Sequence, residues 1–119
     1  CRLNGDCLKT ALGYDLHAAT DITGFGLLGH LHEMSKASGL LARLNCKDIP
    51  VLPQVIEAAQ IGLVPAAAYA NRNSYSQISR ISRDLDLSYS DLLFDPQTSG
   101  GLLFALESEG ARDLVNKLK

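Results

Sequence analysis

The stretch Ala19-Thr-Asp-Ile-Thr-Gly-Phe-Gly26 sets a carboxylate, Asp21, just ahead of a glycine turn that opens a helical pattern. The free N–H groups of a helix start suit an anion. A carboxylate in front of them would repel that anion. A divalent cation reconciles the two, because Mg²⁺ binds a carboxylate or two together with phosphate oxygens and tolerates few other protein ligands. Asp21 is therefore a candidate metal ligand. Thr23, Gly24 and Gly26 are the candidate contacts for the phosphate-bearing molecule. Asp21 also has a purely structural role open to it, as a helix N-cap worth about 1 kcal/mol. Thr23 is the better-placed cap, since the helical pattern begins after Gly24 or Gly26. A Gly-x-Gly with one Thr matches neither the P-loop nor the dinucleotide fingerprint, so the turn alone names no ligand.

Other reactive side chains offer less. His30 and His32 are two apart, point to different faces of a helix and make a poor metal pair, and His17 is isolated. A second unusual string, Asp-Pro-Gln-Thr-Ser-Gly-Gly at 95–101, holds Asp95 extended through Pro96. Gly100 and Gly101 permit positive φ or a close approach of chain segments. The string reads either as a specialised turn delivering the next strand or as a direct ligand contact.

The elements that must position these residues follow from periodicity. Leu3, Leu8, Ala11 and Leu12 give a helical pattern over 3–12 closed by Gly13, and "LHAATD" at 16–21 reads as a strand. Leu27, Leu28, Leu31 and Met34 form one face of a helix over 27–37, with Gly39 as its stop. "LLARLN" at 40–45 is a strand candidate, Pro53 can start a helix that ends at Gly62, and another helix follows Pro65. Residues 76–91 show no period and are expected to be loop. "LLFAL" is a continuous apolar run expected to form a buried strand, and the last helix covers 109–118. Helices and strands mix without βαβ alternation. The fold class is α+β, a mixed sheet packed with helices.

Composition narrows the function. The 119 residues are 46% hydrophobic and 20% charged, as in an ordinary soluble domain, so residues 1–119 are expected to form one domain. A net charge of −2 offers no basic field for nucleic acid or an anionic membrane. No run approaches the roughly 20 apolar residues that span a bilayer. The three cysteines, Cys1, Cys7 and Cys46, are odd in number and lack CxxC spacing, so they read as reduced thiols of a cytoplasmic protein. A first residue other than Met and a final helix pattern with nothing after it lead us to expect a piece of a larger enzyme.

Two long strings at this separation, "ATDITGFGLLGHLHEM" and "LLFDPQTSGGLL", closely resemble motifs of selenophosphate synthetase (selenide, water dikinase). "IPVLP" at 49–53 and "GLVPAAAYANRN" at 62–73 take the order and spacing found between them in that family. The resemblance spans nearly the whole chain and implies the carboxyl-terminal domain of the aminoimidazole ribonucleotide synthetase-like fold. It implies ATP and selenide as substrates, selenophosphate, AMP and phosphate as products, and Mg²⁺ as cofactor. It also implies a homodimer, with an amino-terminal half supplying most of the nucleotide site, further magnesium-binding aspartates, a catalytic lysine and a catalytic Cys or selenocysteine. No catalytic residue of that kind is expected among these positions. The metal-binding aspartate of the family's T-D-[VI]-T-G-F-G motif falls on Asp21. Two features depart from the pattern: Ala66 and Ala67 replace a Gly-Gly pair, and "CRLNGDCLKT" matches poorly. Within the superfamily, aminoimidazole ribonucleotide synthetase and a hydrogenase-maturation protein are the competing readings. A binding or dimerisation module without catalysis is the reading from another class.

Overall fold

The structure, a computed structural model, describes residues 4–119. Cys1 and Leu3, named above, lie outside the described residues. The elements in chain order are α1 (Asn4–Ala11), β1 (Leu16–Asp21), α2 (Gly26–Ser38), α3 (Val55–Gln60), α4 (Ala66–Tyr75), α5 (Leu87–Leu93), β2 (Leu102–Leu106) and α6 (Ser108–Leu118). Single 3₁₀ turns lie at Cys46–Asp48 and Ser76–Ile78. Helices with a small two-stranded sheet make the fold α+β, as expected. The chain divides into two compact units, one joining the stretch that ends at Ile22 to Ser99–Lys119, the other Thr23–Thr98.

In the first unit β1 pairs antiparallel with β2, from Leu16 opposite Leu106 to Asp21 opposite Leu102. The register slips between Leu16 and Ala18, at His17. Beyond the last pair, the Ile22 N–H donates to the Gly101 carbonyl at 2.9 Å, which carries the ladder one step past Asp21. Two strands alone are marginal in water and need packing against helices. Here α1 and α6 pack on β2 and on each other, with Ala11 and Leu114 buried. Gly110 sits where α6 meets β2 and Tyr14, because a side chain there would touch Leu106 and Tyr14. β2 was expected to be buried, yet each of its residues is only half-buried.

In the second unit α2 packs against α4 and α5, and α3 packs against α5. Phe94, fully buried just after α5, is the largest enclosed side chain. α2 stops at Gly39 in the left-handed conformation (φ 66°). There the Gly39 N–H reaches the Lys36 carbonyl and the Leu40 N–H the Ser35 carbonyl, the pattern that satisfies the last free carbonyls of a helix. α3 differs from the expected helix after Pro53: Gln54 turns left-handed (φ 68°) and delays the start to Val55.

Two expectations fail here. "LLARLN" is not a strand. Among the described residues no segment pairs with it, Leu40 and Leu41 stay exposed, and the Asn45 side chain instead caps the 3₁₀ turn by accepting from the Lys47 N–H. An apolar run indicates burial only where something packs on it. Residues 76–91 are not wholly loop, since they hold the 3₁₀ turn at Ser76–Ile78 and the first five residues of α5. Asp86 caps it, its carboxylate accepting from the Ser88 N–H at 2.9 Å, and the buried residues are Ser88, Ser90 and Leu93. Two of those three are serines, so the inward face carries no hydrophobic period to read.

The first unit also holds an exposed network. The Tyr14 hydroxyl donates to Asp113 Oδ2 at 2.6 Å, Lys117 Nζ lies 3.0 Å from the same oxygen, and Lys117 stands over the Tyr14 ring. The Tyr14 hydrogen bond, then Lys117, holds the Asp113 carboxyl below its usual range, while Tyr14 and Asp113 push Lys117 up. A depressed carboxyl stabilises the fold above its unfolded value, ordinarily 3.8, and loses that contribution as pH falls through the folded value. The raised lysine contributes below its ordinary 10.5 and loses its share as pH rises through the folded value. Tyr14→Phe is therefore expected to flatten the fall of Tm below about pH 4. Thermal melts across an acid series check this, and an unchanged acid slope would remove Tyr14 from the network.

Candidate functional site

Asp21 ends β1. The alternation of that strand turns His17, Ala19 and Asp21 to its exposed face. Among the described residues, nothing hydrogen-bonds or ion-pairs with the Asp21 carboxylate. Nor is it the cap of α2: that position is Phe25, with no side-chain cap hydrogen bond. Among the described residues, no three His, Cys, Asp or Glu side chains converge as a metal-holding group. Asp21 thus offers a single free carboxylate, enough for Mg²⁺ only if phosphate oxygens or other ligands complete the sphere.

The glycine turn belongs to the second unit. Thr23 does not cap α2 through its side chain. Its N–H donates to His30 Nε2 at 3.0 Å, its hydroxyl lies 3.0 Å from the same nitrogen, and its carbonyl accepts from the Gly26 N–H. An N–H donor fixes Nε2 as the lone-pair nitrogen, so a neutral His30 carries its proton on Nδ1. His32, two residues on, lies beside Tyr75 instead, with ring centroids 6.2 Å apart. The N–H groups of Thr23 and Gly26 are therefore taken. Those of Gly24 and Phe25 meet no protein acceptor among the described residues.

The second string buttresses this turn. The Gln97 N–H donates to the Thr23 carbonyl at 3.1 Å. Gly26 (φ 70°) lies so close to the chain after α5 that a Cβ would fall 2.8 Å from the Phe94 carbonyl carbon and 3.1 Å from the Asp95 oxygen. Asn71, on α4 and largely buried, clips the two segments together. Its Nδ2 donates to the Gly24 carbonyl at 2.8 Å and to the Phe94 carbonyl at 2.9 Å. Both partners are acceptors, which settles the amide orientation, and both amide hydrogens are in use. Next to Asn71, Arg72 pairs with Asp91 and lies 4.9 Å from the Phe94 ring centroid. Burial pushes the Asp95 carboxyl up, and a hydrogen bond from the Gln97 side chain opposes it. Asp95–Thr98 thus serve the second unit, while Gly101 closes the β-ladder of the first.

Asn71 and His30 escaped the sequence reading. Asn71 had a readable signal: it follows the buried Ala68 by three positions, which places an amide on the inward face of an amphipathic helix. His30 had none, because its partner is a backbone N–H seven residues upstream.

The fold and these two strings define a known class. The family "AIR synthase related protein, C-terminal domain" matches residues 4–119, and the chain belongs to it. Within the class, the chain is similar to proteins named selenide, water dikinase. That of Treponema denticola is 45% identical over 116 residues, covering 98% of this chain and 32% of the relative. That of Clostridioides difficile is 42% identical over 106 residues (89% and 30%), and that of Dechloromonas aromatica 46% over 101 residues (85% and 29%). The chain spans about a third of the length of these relatives.

Two glycines separate backbone strain from close approach. Gly39 has φ 66° with open space around it, whereas Gly26 has φ 70° and Phe94 against it. Gly39→Ala is expected to lose about 1 kcal/mol from the left-handed conformation alone. Gly26→Ala should lose at least about 2 kcal/mol more, because backbone must move to admit the methyl. Equal losses in denaturant unfolding would show that the turn gives way freely.

Proposed function

We propose that this chain is the carboxyl-terminal part of an enzyme that makes selenophosphate from selenide and ATP, releasing AMP and phosphate. In this reading Asp21 is one of its Mg²⁺ ligands. The observation that carries it is the carboxylate at the end of β1, exposed and without a protein partner among the described residues, while α2 is capped elsewhere. The names of the relatives support the reaction. Asp21 would help hold a Mg²⁺ ion, which when bound would supply neutralisation of the charge that opposes phosphoryl transfer. The chain's own share is one charge at a strand end and the turn formed by Thr23, Gly24 and Gly26. Within that turn the Gly24 and Phe25 N–H groups are the donors left for phosphate oxygens. Thr23 and Gly26 shape the turn and do not donate from their own N–H groups. The remaining ligands, the nucleophile and the lysine come, in this reading, from an amino-terminal half, in a cytoplasmic homodimer.

Asp21→Asn tests the ligand role. Asp21 is exposed and its carboxylate has no partner among the described residues, so stability is expected to stay within about 0.5 kcal/mol of wild type. As a ligand, Asp21 leaves the Asn variant of the full-length enzyme down by roughly a hundredfold, only partly recovered by excess Mg²⁺. Paired thermal melts and AMP-release assays check this, and near-normal activity would end the metal reading. Residues 1–119 alone are expected to release no AMP from ATP in response to selenide, since most of the nucleotide site lies elsewhere in this reading. Selenide-dependent release above background would show that the division of labour is wrong.

A further inference from the structure

The second unit makes one feature of this site that no family name assigns. Three independent contacts tie the Thr23–Gly26 turn to the chain around Phe94–Gln97: the Gln97 N–H on the Thr23 carbonyl, the Cβ-free approach of Gly26 to the Phe94 carbonyl, and the Asn71 amide on the Gly24 and Phe94 carbonyls. Of these, only the Asn71 contact is made by a side chain. The Gly24 carbonyl belongs to the same peptide unit as the Phe25 N–H, so holding that oxygen fixes the direction of one of the two unpaired donors. The Phe94 carbonyl belongs to the peptide unit of the Asp95 N–H, which itself returns to the Leu92 carbonyl at 3.2 Å. One amide group thus aligns two peptide planes from separate parts of the chain, and it does so from a position only 9% exposed. A hydroxyl carries one hydrogen, a carboxylate none, and an ammonium adds a charge that would need its own partner.

We propose that Asn71 is a positioning residue for the phosphate-bearing substrate, holding the Gly24–Phe25 peptide plane against the turn at Phe94–Gln97. The proposal rests on the reading of the Thr23–Gly26 turn given above. Asn71 touches no substrate. It acts through the Phe25 N–H, whose aim decides how well a phosphate oxygen is met. Losing the clip should leave the helices in place and loosen both turns together.

The test uses the full-length enzyme with Asn71→Leu, which keeps the size and apolar packing but has no donor, and Asn71→Gln, which keeps the two-hydrogen amide on a longer arm. Hydrogen exchange followed by mass spectrometry is expected to accelerate about tenfold or more in the Leu variant in peptides covering 23–26 and 94–98, and to stay unchanged in α6. The KM for Mg-ATP should rise about tenfold while the KM for selenide holds, and the Gln variant should recover part of both effects. A loss of kcat with unchanged KM for Mg-ATP would reduce Asn71 to a packing residue and overturn the proposal. So would unchanged exchange in the two peptides, or a Gln variant no better than Leu. Asp21→Asn is assayed alongside. If it is as active as wild type, the metal reading fails, yet the exchange and KM measurements on Asn71 still decide the clip.

Discussion

Two carbonyl oxygens from residues seventy positions apart, Gly24 and Phe94, meet one amide nitrogen, and the second unit is arranged around that meeting. The bond to the Phe94 carbonyl is buried and the bond to the Gly24 carbonyl partly so. A buried carbonyl left without a donor costs about 1–3 kcal/mol, so the nitrogen cannot be replaced by an apolar group without consequence. The approach that brings the carbonyls together also requires Gly26, because a Cβ would stand 2.8 Å from the Phe94 backbone. α2 and α5 are held to the same geometry, since one begins at Gly26 and the other ends at Leu93. Arg72, adjacent to Asn71, closes the arrangement by covering Phe94 and pairing with Asp91.

The first unit solves a different problem. A pair of strands has little stability by itself, and here helices on β2 supply the missing burial. The ladder runs through Asp21 to the Ile22–Gly101 bond, so the backbone of the aspartate is fixed while its side chain is left free. In the proposed role as a metal ligand, that combination would be useful: the backbone is ordered in advance, and no partner among the described residues would have to be displaced.

Membership in the AIR synthase related family, together with relatives named selenide, water dikinase, accounts for why two strings so far apart in sequence are both distinctive. The Asp-Pro-Gln-Thr-Ser-Gly-Gly string works in two directions. Its first half supports the glycine turn through Asp95 and Gln97, and its last glycine ends the β-ladder. Of the two roles open to it in the sequence, the structural one is visible in these contacts.

Local patterns were enough for much of the fold. The strand at 16–21, the stop of α2 at Gly39, the helix after Pro65, the strand at 102–106 and the α+β class were legible because each depends on periodicity, a left-handed glycine or a proline within a few residues. Asp21 and the glycine turn were legible as a candidate site because charge and turn chemistry lie side by side in the chain. What sequence could not settle was decided by distant partners. "LLARLN" meets no pairing segment among the described residues, and the buried residues of α5 are two serines and Leu93. Thr23 spends its N–H on His30 rather than capping a helix with its hydroxyl. Asn71 gains its importance only when Gly24 and Phe94 arrive on either side of it. Propensity and period act over one or two turns of chain, whereas the satisfaction of a buried carbonyl depends on whichever donor the tertiary structure brings within about 3 Å.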